Sequence, residues 1–226
     1  MSSRRVTALT KEGVKNLHDG RIIDAVLSLR HAAECLKSYD QTILPRSEED
    51  EMMMEETNAS PLVHVSLTID VTSITDSSPH NAFDIYTSAF LHPFVKDVAA
   101  YSHEVSIVLF YNLGLAHHLA AMNGATESLK HLQRALRCYK IALTVFQQRG
   151  RLHFDDWYSL LLGLLNNMGH IYCHSFQMEE VKTCSKHIDS LLSSPDAETL
   201  SEDDGAFFFG AVLQTRSFDG INAPAA

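Results

Sequence analysis

The sequence predicts a mainly α-helical protein in which three irregular helix pairs stack into a superhelix, with a β-hairpin inserted after the first pair. Three observations support this fold class. Apolar residues recur every three or four positions along most of the chain, as they do in helices with one buried side. The stretch from Leu62 to Val71 alternates between two faces, as a half-buried strand does. Small residues recur at matching offsets in three segments, which indicates an internal repeat.

The first repeat is predicted over 5–38, with its turn at Gly20, because leucines and alanines recur there at helical spacing. Residues 39–61 are polar and carry six acidic side chains between Glu48 and Glu56. Like charges at that density repel each other, so a disordered, solvated loop is expected. Residues 62–97 are predicted to form the β-hairpin. An isolated hairpin is marginal in water, so its apolar side is expected to lie on helices.

The second and third repeats are predicted over 98–149 and 155–195. Their apolar residues again follow the helical period, and Asn123-Gly124 ends one helix. The acidic pairs Asp155-Asp156 and Asp203-Asp204 are interpreted as helix caps. Residues 196–226 are predicted to form a short helix around three consecutive phenylalanines, which covers the end of the stack, and a flexible tail. The whole chain, 1–226, is expected to be a single domain.

These segments share one template. In the third repeat, the spacing matches a 34-residue helix-pair repeat at Leu165, Met168-Gly169, Tyr172, Val181, Ile188 and Pro195. Glycine lets two helices approach closely, so Gly114 and Gly169 are expected at the contact between paired helices. The chain therefore resembles tetratricopeptide-repeat (TPR) proteins. The resemblance implies a TPR-like superhelix that binds another protein, as a peptide or helix, in its concave groove.

The order of segments is also similar to that of uncharacterised TPR-like proteins predicted from diatom genomes. The motifs that carry this similarity are Gly20-Arg21-x-x-Asp24-Ala25, the Phe110-to-His118 helix and Asn166-Asn167-Met168-Gly169. That group implies no specific function. The repeat pattern also has departures, because Phe176 stands where the turn glycine of the third repeat is expected.

Composition and charge narrow the classes of partner. The net charge is −10 and basic residues do not cluster, which argues against a nucleic-acid or membrane partner. No run of about 18 uninterrupted apolar residues and no signal peptide is evident, so a cytoplasmic, intracellular location is expected, with the nucleus left open. Four cysteines are too few for a disulfide scaffold and are expected to be reduced, buried thiols.

No catalytic motif is present, so the chain is expected to be a non-enzymatic interaction module or scaffold without a cofactor. One alternative is a small metal-dependent enzyme or metal-binding protein that uses His170-x-x-Cys173 and Cys184-x-x-His187. The helical interpretation argues against it, because the two motifs lie on different helices that point in opposite directions. A second alternative is a self-associating structural protein, a homo-oligomer that buries leftover apolar surface.

The resemblance also implies which residues face the groove. They are Val14, His18, Tyr111, Leu115, His118, Asn166, His170 and His174. A histidine recurs at the same level in each repeat, at His18, His118 and His174. One hypothesis is that the groove gains charge between about pH 7 and 6 and then binds acidic peptides more tightly. Asn112 and Asn167 can also hydrogen-bond a peptide backbone. The sequence does not identify the partner.

Overall fold

A computed structural model of the chain describes residues 3–40, 62–67, 83–92, 102–148 and 157–221. The predicted acidic loop, 39–61, lies outside these described residues apart from the end of one helix. Asp155, Asp156 and the predicted tail at 222–226 also lie outside them.

The described residues are mainly helical, with one small two-stranded antiparallel sheet. This confirms the predicted helical class and the predicted hairpin. The terminal helix is much longer than the short helix that the sequence predicted. The elements are α1 (Ser3–His18), α2 (Ile22–Asp40), β1 (Val63–Ser66), β2 (Ser88–Leu91), α3 (Ser102–Met122), α4 (Ser128–Gln148), α5 (Tyr158–His174), α6 (Met178–Leu192), a 3₁₀ turn (Pro195–Thr199) and α7 (Glu202–Ile221).

The helices of the described residues form three pairs, and the turn within each pair contains a residue with positive φ. Gly20 (φ 72°) joins α1 to α2, and Gly124 (φ 73°) joins α3 to α4. Phe176 takes this place between α5 and α6 with φ 55°, and 79% of its surface is exposed. The left-handed conformation is easy for glycine but strained for phenylalanine. Phe176 therefore replaces the glycine expected in this turn, but the turn keeps the backbone geometry of the other two.

The pairs pack in chain order. Within the pairs, α1 packs on α2, α3 on α4 and α5 on α6, while α2 packs on α3, α4 on α5 and α6 on α7 between successive elements. The pairs lie in the parts of the chain where the three repeats were predicted. The sheet packs against α1 and α3. One continuous hydrophobic core therefore runs through the whole stack.

Helix α3 lies at the centre of this core. Its residues His103–Met122, with a mean hydropathy of 1.4, are numerous and apolar enough to span a membrane by length and composition alone. However, 83% of the most apolar stretch is buried inside the protein. The core helices of globular proteins have the same composition, so the packing of α3 accounts for its apolar residues.

Glycines mark the closest approaches in the stack. A Cβ on Gly13 would lie 2.5 Å from Leu29 of α2, and one on Gly114 would lie 2.6 Å from Tyr139 of α4. These two glycines lie at contacts between paired helices, as predicted for Gly114. The prediction for Gly169 is wrong, because a Cβ on Gly169 would meet Phe83 first, at 2.7 Å. Phe83 belongs to the extended chain before β2.

We expect Gly114→Ala to lower the free energy of unfolding by about 1–3 kcal/mol, because the added methyl group overlaps the fully buried ring of Tyr139. The matched control is Gly205→Ala in α7, where no atom lies within 4 Å of the new Cβ. This control should be neutral or slightly stabilising, since alanine favours helix. Urea denaturation of both variants measures the difference. Equal stability of the two would contradict the close contact.

Candidate peptide-binding groove

An extended segment, Phe83–His92, occupies the side of the stack where the sequence predicted a binding groove. We call it the resident segment. Its last part is β2, and the preceding residues are also extended. The residues of this segment that contact α3 and α5 are buried, including Phe83, Tyr86 and Phe90. A segment of the chain itself therefore fills this side of the stack.

Two asparagine side chains hold the backbone of the resident segment. Asn112 of α3 accepts a hydrogen bond from the Phe90 N–H at 3.0 Å, and its Nδ2 donates to the Phe90 carbonyl at 2.6 Å. Asn167 of α5 makes the same pair of bonds to Tyr86, at 2.8 and 3.1 Å. Each amide group thus satisfies both the donor and the acceptor of one residue.

The residue before each asparagine adds a further bond. The Tyr111 hydroxyl donates to the Ser88 carbonyl at 3.0 Å, and Nδ2 of Asn166 donates to the Asp84 carbonyl at 2.7 Å. The four bonded residues are 84, 86, 88 and 90. Alternate residues of an extended chain present their backbone groups to the same edge. The helices therefore take the place of a neighbouring strand along that edge.

The same positions act in both helix pairs. Asn112 stands two residues before Gly114, and Asn167 stands two residues before Gly169. From α5 to α3 the bonded residue advances by four, from Tyr86 to Phe90. One helix pair thus corresponds to four residues of bound chain. The equivalent residues of α1, Thr10 and Lys11, line a small cavity together with Leu91 and His92.

The other edge of the resident segment pairs with β1. Strand β1 runs antiparallel to β2, with His64 opposite Phe90 and Val65 opposite Ala89. Because Phe90 directs its backbone groups to Asn112, the groups of Ala89 and Leu91 face β1. Over Ser88–Leu91, one edge of the segment therefore pairs with a strand and the other with helix side chains.

Aromatic side chains fix the segment against glycines of α5. A Cβ on Gly169 would meet the Phe83 ring, and a Cβ on Gly163 would lie 2.7 Å from the Tyr86 ring. The Phe90 ring packs edge-on against Tyr111 at 5.1 Å between centroids. The absence of side chains at Gly163 and Gly169 thus creates the space that the aromatic rings fill.

Tyr86 also links the resident segment to the last helix. Its hydroxyl donates to Oδ1 of Asp204 at 2.9 Å and lies 3.0 Å from Nε2 of His64. The other carboxylate oxygen of Asp204 accepts a bond from the Ser159 hydroxyl at 3.1 Å. Burial and the charge of Asp204 raise the pKa of Tyr86 far above its usual value, so the phenol stays protonated. This network therefore serves as a structural link.

The interpretation of Asp204 as a helix cap is corrected by this contact. The cap of α7 is Ser201, whose hydroxyl accepts a hydrogen bond from the Asp204 N–H at 3.1 Å. The Asp204 carboxylate is buried and bonds to Tyr86 and Ser159 instead.

A chain of buried polar groups lies behind Asn167. Nδ2 of Asn167 is 3.3 Å from the Tyr139 hydroxyl, which lies 3.5 Å from Nδ1 of His118. Nε2 of His118 is 2.9 Å from Nδ1 of His170. The His170 ring packs against His174, at 4.7 Å between centroids. A hydrogen bond between two imidazoles needs one donor and one acceptor nitrogen, so His118 and His170 fit together only when at least one is neutral.

Burial disfavours the charged form of both imidazoles. It lowers the pKa of His118 to about 3, with a smaller contribution from His174, and it holds the pKa of His170 well below the usual value. Both therefore remain neutral at pH 6. The hypothesis that the groove gains charge between pH 7 and 6 named His18, His118 and His174, and it does not hold for His118.

The predicted site residues divide into two sets. The structure brings Tyr111, Leu115, His118, Asn166 and His170 together as buried residues of α3 and α5, with the half-buried His174 beside His170. Val14 is buried in α1. His18 is exposed at the end of α1, where it lies 3.5 Å from Asp19. Among them, Tyr111 and Asn166 contact the resident segment through hydrogen bonds. Their role in binding a partner stays a prediction.

The alternative of a metal site finds no support in this geometry. Within the described ranges, no group of three or more His, Cys, Asp and Glu side chains converges as metal ligands do. The thiols of Cys173 and Cys184 are both buried, and burial raises the pKa of Cys184 to about 12, so it stays protonated at neutral pH.

Sequence reasoning missed several residues that matter here. Tyr86, Gly163 and Asp204 were assigned no role in a site, and Gly169 was assigned a different one. One signal was available: Asn112 and Asn167 stand at the same place before the repeat glycine. The sequence predicted that both asparagines can bind a peptide backbone, but it did not predict that this backbone belongs to the same chain.

No protein-family model, curated protein or solved structure matches the chain.

We expect Asn167→Leu to lower the free energy of unfolding by at least about 2 kcal/mol, because it leaves the buried N–H and C=O of Tyr86 without partners. Hydrogen exchange of the Tyr86 amide should become faster. The control is Gln133→Leu, which replaces an exposed amide on the outer surface of α4 beside Arg137. A variant with normal stability and normal Tyr86 protection would contradict the role of Asn167.

The buried histidines predict loss of stability in mild acid. The unfolded chain takes up protons on His118 and His170 as the pH falls below about 6.5, whereas the folded protein does so only at a much lower pH. The free energy of unfolding should therefore fall between pH 7 and pH 5, by about 2 kcal/mol for His118 and by a further amount for His170. Denaturation with urea at several pH values measures this slope. His118→Gln should flatten it, while the exposed control His187→Gln should not.

Proposed function

We propose that the protein is a non-enzymatic protein-interaction module with a TPR-like superhelix, whose groove binds an extended peptide by its backbone. The observation that carries this proposal is the pair of two-bond contacts from Asn112 to Phe90 and from Asn167 to Tyr86. Helix-pair packing in chain order and the matching positions of these asparagines support the TPR-like arrangement.

The resident segment indicates what kind of peptide fits. Backbone contacts are independent of sequence, so selection depends on the side chains at the glycine-lined positions. Phe83 packs at Gly169 and Tyr86 packs at Gly163. Phe90 packs beside them against Tyr111. The expected partner is therefore an extended segment of another protein with aromatic residues at this spacing. This partner segment has to replace the resident segment in the groove. We propose that the protein and its partner are both intracellular.

The mechanism is a competition between an internal and an external strand. The resident segment is tethered, so its effective concentration at the groove is in the millimolar range or higher. A partner of ordinary micromolar affinity therefore binds only when the resident segment is weakened or released. This explains how a groove with fully buried side chains serves as a binding site.

A labelled peptide with the sequence of residues 83–92 tests the proposal. The host is the full-length chain with Tyr86→Ala and Phe90→Ala, which weaken the resident segment but leave both asparagines in place. The peptide should bind this host, measured by fluorescence anisotropy, at least about tenfold more tightly than it binds the parent. Circular dichroism establishes that the host is folded.

A second peptide provides the matched control. It carries proline at the position of Tyr86, and proline has no N–H to donate to Asn167. Its affinity for the host should be at least about tenfold lower. Equal binding of both peptides, or no binding of either to a folded host, would contradict the proposed mode of recognition.

A further inference from the structure

The last helix of the stack has an apolar outer face. Phe209 and Leu213 lie one turn apart on α7, and 53% and 49% of their surfaces are exposed. Ala206 is exposed on the same side. The opposite side, with Phe208, Ala211 and Val212, is buried in the core. We call the side with Ala206, Phe209, Gly210 and Leu213 the outer face of α7.

The repeat pattern shows that this face has room for another helix. In α1 and α3, a glycine packs against a bulky residue of the helix that follows, Leu29 for Gly13 and Tyr139 for Gly114. Gly210 is also a mid-helix glycine, but nothing lies within 4 Å of the position of its Cβ. Within the described residues, α7 is the last helix and has no following helix to pack on it.

We infer that a second copy of the same chain covers this face, so that α7 pairs with its symmetry mate in an antiparallel homodimer. A two-fold axis near Phe209 and Gly210 places Ala206 of one copy opposite Leu213 of the other. A large side chain then meets a small one twice, once on each side of the axis. The two Phe209 side chains meet near the axis, where Gly210 leaves space for them.

The charges of α7 have the same self-complementary arrangement. In this pairing, Glu202 of one copy lies opposite Arg216 of the other. Both side chains are exposed, and Arg216 already contacts Asp189 of α6 at 2.6 Å. The contact with Asp189 holds the guanidinium group near the edge of the outer face. Two copies of an ion pair between chains thus oppose the repulsion between molecules of net charge −10.

This pattern favours a second copy over an unrelated partner. An unrelated helix would need only an apolar stripe, whereas this face matches itself in both size and charge when it is turned by the two-fold rotation. A single helix–helix contact is small compared with the interfaces of permanent dimers. The expected dimer is therefore reversible, with a dissociation constant in the micromolar range.

Sedimentation velocity of the full-length chain, from low micromolar to several hundred micromolar, tests this inference. The parent should change from monomer to dimer over this range. Phe209→Glu with Leu213→Glu should abolish dimerisation, while circular dichroism remains that of the parent. The control is Leu129→Glu, which changes an exposed leucine of α4 and should leave dimerisation unchanged. A parent that stays monomeric would overturn the inference, and so would a dimer that persists in the double variant.

Charge reversal separates pairing between copies from a general effect of charge. Glu202→Arg or Arg216→Glu alone places like charges opposite each other and should weaken the dimer at least about tenfold. The double variant E202R/R216E restores opposite charges and should recover dimerisation. Failure of the double variant to recover while it remains folded would overturn the proposed antiparallel register. These measurements do not depend on peptide binding, so they test the dimer separately from the proposed function.

Discussion

The need to satisfy the buried backbone of the resident segment is the constraint on which the rest of the structure depends. A chain that enters a hydrophobic core must find partners for every N–H and C=O group that leaves water. Strand β1 supplies them along one edge, over Ser88–Leu91. Asn112, Asn167, Asn166 and Tyr111 supply them along the other. Because two short strands alone are marginal in water, the hairpin needs the helices. The helices in turn need the hairpin, since α3 and α5 would otherwise expose Tyr111 and three amide side chains.

This constraint explains why so many polar residues lie inside the stack. The Asn167 amide bonds to Tyr86 in a fixed orientation, and the Tyr139 hydroxyl behind it contacts the same amide. His118 and His170 continue the chain of polar groups toward His174. Each group satisfies its neighbour, so the network is tolerated in a low-dielectric interior only while the imidazoles are neutral. Stability in mild acid and the geometry of the backbone contacts are thus linked through one set of side chains.

The sequence predicted those features that depend on local pattern. Helical periodicity indicated the helix pairs, and strict alternation around Val65 indicated a strand. The occupant of the groove could not be predicted in this way. Asn112 is 22 residues from Phe90, and Asn167 is 81 residues from Tyr86. Periodicity shows which side of a helix is buried but does not show what buries it. The same limit explains the wrong prediction for Gly169, because the pattern indicates a close contact but does not show that Phe83 is the neighbour. It also explains why Asp204 was interpreted as a helix cap, because carboxylates are common in the first turn of a helix.

Helix α7 connects the groove to the outer surface of the stack. Its inner side holds Asp204 against Tyr86 and packs Phe208 on the same ring, at 4.8 Å between centroids. Its outer side carries Phe209 and Leu213. A second copy that orders α7 from outside would also hold Asp204 in place over the resident segment. By the reciprocity of linked equilibria, dimerisation and retention of the resident segment then favour each other. In the proposed dimer, release of the segment for the proposed external peptide should therefore weaken self-association to the same extent.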